Sequence, residues 1–96
     1  MKNIIQNNYT IENLFCSRAR AKIIKTLALN NELNISKIIK NTNLNHSNVV
    51  NHLNFLKKIN FIQEKNFGRI KIYRYKEENL KAHCVKKLIE LIENID

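Results

Sequence analysis

Residues 35–60, ISKIIKNTNLNHSNVVNHLNFLKKIN, decide how this chain is read. Two helical stretches flank the short segment Thr42-Asn43-Leu44, and Asn45 is placed to cap the second. A capping Asn accepts from backbone N–H groups left open in a helix's first turn. Val49, Leu53 and Leu56 recur at helical spacing and mark the buried stripe of that second helix. Lys57 and Lys58 fall in its last turn, where cations complement the helix dipole, and Asn60 ends it. Asn43 stands where the turn between the helices needs a residue tolerant of left-handed backbone. Two helices joined this tightly and followed by a basic strand pair make a helix-turn-helix with a wing. The second helix of such a unit is shaped for a DNA major groove.

Downstream, Phe61–Phe67 and Ile70–Tyr75 are rich in β-branched and aromatic residues, as strands are. Gly68, the only glycine, sits between them, where a hairpin turn needs positive φ. From Glu77 to Asn94 a last helix carries Leu80, Val85, Leu88, Ile89, Ile92 and Ile95, a stripe longer than a small core needs. Upstream, Leu33–Ile35 is a brief extended segment, and Asn34 or Ser36 caps a short helix reaching about Asn41. Ser17 caps a helix with Ala21, Ile23, Ile24, Leu27 and Ala28 inside, ended by Asn30–Asn31. Thr10 caps a first helix bearing Ile11, Leu14 and Phe15. Residues 1–9 read as a mobile arm or an extension of that helix. Asn takes the place of Gly near Asn30–Asn31, Asn43 and Asn60, so sparse glycine does not argue against this fold.

Nothing divides residues 1–96, and 96 residues make one domain. The fold expected is mainly α with a small β-hairpin. A chain this short buries roughly 65% of its unfolded surface, so a second copy would add useful buried area. The net charge of +9, from 17 basic and 8 acidic residues, suits a phosphate backbone through counterion release. Anionic membranes would attract it too, but there is no long apolar run and no signal-peptide pattern, so the cytoplasm is expected. Cys16 and Cys84 are far apart and no CxxC pair exists, which argues against a zinc finger or a thioredoxin-like motif. The acidic residues form no catalytic dyad and there is no glycine-rich phosphate loop, so no enzyme is expected.

The segments SRARAKII (17–24), TNLNHSNVVNHLNFL (42–56) and FGRIKIYRY (67–75) together resemble an archaeal winged helix-turn-helix regulator of the arsenic-repressor (ArsR) type. The resemblance runs from Ile11 to Tyr75. It implies a winged helix that dimerises through its first and last helices and binds an operator, usually as a repressor. Two features of metal-sensing members are absent. Leu33-Asn34-Ile35 stands where such members carry a CxC motif, and His83 has no second histidine downstream. No metal and no cofactor are therefore expected.

With Val49, Leu53 and Leu56 inside, the opposite face of the second helix shows Ser47, Asn48, Asn51, Asn54 and Lys58, flanked by His46 and Val50. Asn can pair bidentately with adenine N6 and N7, and Val can touch a thymine methyl. The plainer reading is a solvent face enriched in Asn by codon bias. Lys65, Arg69 and Lys71 surround the wing turn, where Arg suits a narrow A·T minor groove, or where charge merely keeps an edge hairpin soluble. Of the cations Arg18, Arg20, Lys22 and Lys25 near the second helix of the chain, at least half are expected to be solvated. His52 is expected to pack, and Tyr73 and Tyr75 to lie in the core.

Residues 77–95 are expected to form a dimer seam, because positions 85, 88, 92 and 95 follow heptad-like spacing. Ile11, Leu14, Phe15, Val85, Leu88, Ile89, Ile92 and Ile95 are the interface candidates. Cys16 and Cys84, in or beside these helices, are a candidate redox pair, though free thiols are more often inert packing residues. The partners expected are double-stranded DNA and a second copy of the chain. Two other readings share the same charge and fold: an architectural, sequence-tolerant DNA coater, and a protein-interaction module.

Overall fold

The structure, a computed structural model, describes residues 9–95. The elements run α1 (Ile11–Leu14), α2 (Arg18–Asn30), β1 (Glu32–Asn34), α3 (Ile35–Thr42), α4 (His46–Lys58), β2 (Ile62–Phe67), β3 (Ile70–Tyr75) and α5 (Leu80–Glu93). The reading of residues 1–9 as an arm lies, Tyr9 apart, outside the described residues.

Each helix starts at a side chain that accepts from an open backbone N–H: Thr10, Ser17, Asn34, Asn45 and Asn79. Asn34, not Ser36, caps α3, its Oδ1 2.8 Å from the Lys37 backbone nitrogen. The breaks fall on asparagine as the sequence indicates. Asn31, Asn43 and Asn60 have φ of 70°, 58° and 67°, the region that Asn tolerates best after Gly. Gly68 turns the wing at φ 61°.

Two expectations change. The hairpin is part of a three-stranded antiparallel sheet ordered β1-β3-β2, because Glu32–Asn34 adds to the free edge of β3. A three-residue strand carries almost no periodic signal, so only its partner reveals it. The last helix begins at Leu80 rather than Glu77. Asn79 supplies the cap, while Glu77 and Glu78 remain in the connection, held by Lys86 and Arg74.

The core gathers around α2, which packs on α3, α4, α5 and β3. Ile23, Ile24 and Leu27 meet Ile38, Val49, Leu53, Leu56 and Phe61, all essentially inaccessible to water. Tyr73 and Tyr75 are buried as expected. Phe61 meets the rings of Tyr9 and Tyr75 edge-on, with centroids 5.8 and 6.3 Å apart. The Tyr75 hydroxyl donates to the Ala82 carbonyl at 2.6 Å, fastening α5 to the sheet, and burial raises its pKa.

Leu14 is only 5% exposed within its own subunit, so it is a core residue and has almost no surface left for a second copy. Phe15, Val85 and Ile89 are half-buried against the same core. Lys86 is a buried charge on α5 that the sequence gives no reason to single out. Its ammonium donates to Asn31 Oδ1 at 2.6 Å and Glu77 Oε2 at 2.8 Å. That clasp ties α5 to the end of α2.

Candidate nucleic-acid interface

Helix α4 owes its orientation to its buried stripe. Val49, Leu53 and Leu56 face the core, so His46, Ser47, Asn51, Asn54 and Lys58 are exposed, and Asn48 and Val50 half-exposed. Ser47, Asn51, Asn54 and Lys58 follow one another at helical spacing along the outer surface. Asn45 is occupied as the cap: its Oδ1 accepts from the Asn48 backbone at 2.8 Å and from Ser47 Oγ at 3.2 Å.

The wing rises beside this helix. Between them runs a groove of about 480 Å3, into which α4 sends His46, Val50 and Asn54 and the wing sends Arg69 and Lys71. Its wall also carries Lys57, Glu64 and Tyr73, none of which had stood out as a site residue. Lys57 Nζ donates to Glu64 Oε1 at 2.8 Å, and this bond chiefly holds the Glu64 carboxyl below its usual pKa. Burial, with the Glu64 charge alongside, pushes the Tyr73 hydroxyl up to about 12. Glu64 and Tyr73 are register partners in the β2–β3 ladder, so the network joins helix to wing and sets the width of the groove.

Arg69, Lys71 and Lys58 are exposed and make no ion pair among the described residues. Lys65 differs. Strand alternation turns it to the other face of the wing from Lys71, and it pairs with Glu32 at 3.1 Å. It is thus separated from the groove that unites the other wing cations with α4.

Among the four upstream cations, Arg20 is structural. Its guanidinium lies 3.8 Å from the Phe55 ring centroid, its Nε donates to His52 Nδ1 at 3.2 Å, and its Nη1 donates to the Asn13 carbonyl. This knot binds α2 to the inner side of α4. It packs His52 as expected, with Nδ1 as acceptor. Burial first, and then the Arg20 charge, lower the His52 pKa. Lys25 pairs with Glu93 on α5 at 3.5 Å, and Lys22 Nζ lies 3.5 Å from the Thr42 carbonyl. Arg18 is exposed.

A second surface is formed by α1 and α5. Ile11, Leu88, Ile92 and Ile95 are exposed on α1 and at the end of α5, together with Leu80 and Leu91, which had not been counted as interface residues. An apolar groove of about 350 Å3 separates the chain around Tyr9–Leu14 from α5. Cys84 lines it, and Cys16 is exposed in the bend between α1 and α2; both thiols are free. No helix among the described residues is long and apolar enough to cross a membrane.

The family described as bacterial regulatory protein, arsR family, has a sequence model that matches residues 17–64. No curated protein gives a significant sequence match. Among solved structures, a crystal structure described as an ArsR family transcriptional regulator is similar in fold. The TM-score is 0.60 at 16% identity, with 88% of each chain covered.

Proposed function

Since this chain belongs to the arsR family of regulatory proteins, we propose that it works as a homodimeric repressor that reads a pseudo-palindromic operator in double-stranded DNA. Family and fold are those of an ArsR-type transcriptional regulator with a winged helix-turn-helix, not of an enzyme. The observation that carries the finer reading is the meeting of α4 and the wing. Asn54, Val50 and His46 of α4 share one groove with the unpaired Arg69 and Lys71 of the wing, on a chain with net charge +9.

In this reading α4 enters the major groove. Ser47, Asn51 and Asn54 reach base edges, and Val50 reaches a thymine methyl. Lys58, Arg69 and Lys71 meet phosphate or minor groove and set the register without reading sequence themselves. His46 and Asn48 flank the contact. Lys65 joins only if its bond to Glu32 opens. The exposed apolar residues of α1 and α5 are the seam of the dimer, which places two α4 helices about one turn of DNA apart, roughly 34–36 Å. Bound there in the cytoplasm, the dimer would occlude the transcription machinery. Repression rather than activation rests on family resemblance, as does the archaeal affiliation. Cys16 and Cys84 flank the seam, and a redox role would need them to meet across it.

Selection of bound sequences from a random DNA pool tests the proposal. A symmetric consensus with two half-sites is expected. Recovery of no enriched sequence would overturn it in favour of a DNA coater or a protein-interaction module.

A further inference from the structure

Phe67 and Ile70 are direct partners across the wing turn, at the far end of the β2–β3 ladder. They are 59% and 54% exposed. Alternation places both on the face of the wing turned away from the α4 groove, and Ile72 continues that face. Hairpin tips are ordinarily polar, and Gly68 satisfies the turn without help from either side chain. Among the described residues neither belongs to the core or packs against it; their cross-strand contact supports the hairpin, but core packing does not call for two large apolar groups at the tip of the wing.

We propose that Phe67 and Ile70 form an apolar wedge for duplex DNA, pressed against base steps of the minor groove beside each half-site. The inference rests on the DNA-binding reading above and deepens it. Three observations select DNA over an apolar protein partner. Arg69 lies within the turn between the two residues, and Lys71 follows directly. Arg69 is exposed and makes no ion pair among the described residues, so an apolar partner covering the tip would have to desolvate it, whereas a polyanion pairs it. Arg69 also lines the groove that α4 shares with the wing, so the turn bearing the pair adjoins that groove.

Apolar side chains pushed between base steps partly unstack them and kink the duplex, at least cost where a pyrimidine precedes a purine. The wing then contributes specificity at positions that no hydrogen bond reads. TA or CA/TG steps outside the α4 contacts are favoured over stiff A-tracts. The contact is uncharged, so it adds affinity without releasing counterions.

That last property makes the test. The probe is the duplex enriched from the random pool, with 2-aminopurine replacing adenine at a TA step flanking the half-site. Should the pool enrich nothing, an alternating A·T duplex takes its place. The wild-type chain should raise 2-aminopurine fluorescence on binding. The double variant Phe67→Ser/Ile70→Ser should lose that rise and bind about tenfold more weakly at every salt concentration, a loss typical of one uncovered apolar side chain. Its log–log salt slope should stay the same, because no phosphate contact has gone. Phe67→Leu should keep both affinity and signal. Melting curves confirm that the variants fold. Equal affinity and equal fluorescence for wild type and double variant would overturn the wedge while leaving DNA binding intact. A changed salt slope would also overturn it, since the residues would then be acting through displaced cations. Failure of the wild-type chain to bind any duplex would sink the DNA reading itself.

Discussion

Lys57 on α4 and Glu64 on β2 are joined by an ion pair of 2.8 Å, so the helix and the wing are held by opposite charges within their shared groove. In the proposed complex with DNA the carboxylate also neutralises a lysine that would otherwise be free to meet phosphate. Glu64→Gln should therefore raise affinity for DNA of any sequence and steepen the log–log salt slope by about 0.9, one further phosphate neutralised. Stability should drop by about 1 kcal/mol, since the pair is partly buried and Gln keeps an oxygen that can accept from Lys57. Fluorescence anisotropy across a salt series and a urea melt measure both; an unchanged slope would mean that Lys57 does not reach the duplex.

Arg69 and Lys71 differ from the α4 amides in what they should contribute. Arg69→Ala and Lys71→Ala should weaken binding to all sequences alike and each reduce the salt slope by about 0.9. Asn51→Ala should instead cost about 1–3 kcal/mol against the preferred site and relax the choice at one base pair. Titrations against the selected operator and single-base variants separate the two patterns.

His52 should make stability depend on pH. Its pKa in the folded chain lies below the ordinary 6.5, because burial and then Arg20 disfavour the imidazolium. Between those two values the unfolded chain binds more protons than the folded one, so stability rises with pH there. The contribution is complete above 6.5 and is lost as pH falls through the folded pKa. Glu64, Glu77 and Glu78 have lowered pKa values too, but their loss sets in only below the ordinary 4.5. Melting temperature should thus decline between pH 7 and 5, and His52→Gln should flatten that decline. An identical decline in the variant would assign the effect elsewhere.

The Lys86 clasp should matter more than a surface pair. Lys86→Ala removes a largely buried side chain with both its hydrogen bonds, while Asn31 and Glu77, both exposed, can return to water. The cost should be about 1–2 kcal/mol, between that of a surface pair and a fully buried one. For a chain of this length that is about 10 °C in melting temperature by calorimetry. Arg18→Ala, on an exposed residue, should change it little.

The dimer seam is tested at Ile92. Ile92→Glu puts a charge on an exposed apolar surface and should leave the monomer fold intact. It should give monomers by sedimentation at concentrations where wild type dimerises, and weaken operator binding far more than half-site binding. Wild type sedimenting as a monomer would remove the two-fold operator from the proposal.

Much of this was legible in the residues because it is local. Thr10, Asn45 and Ser17 cap helices since a short polar side chain next to an apolar stripe has little else to do, whereas the choice of Asn34 over Ser36 needed the structure. Asn31, Asn43 and Asn60 break helices because few other side chains tolerate positive φ. The outer face of α4 follows from the placing of Val49, Leu53 and Leu56 at helical spacing.

The rest depended on distance along the chain. Arg20 and His52 stand 32 residues apart, Lys65 and Glu32 33 apart, and Lys86 and Asn31 55 apart. No periodicity announces such pairs, so a cation that will meet solvent, phosphate or its own fold looks the same in the sequence. Leu14 and Ile11 likewise share a helix turn, yet packing buries one and exposes the other. Side-chain chemistry and short-range spacing thus determined the order of helices, breaks and strands, and with them the outward face of α4. Only the folded arrangement decided which charges were already spent on one another and which remained for a partner, because Coulomb attraction and burial act on separations in space.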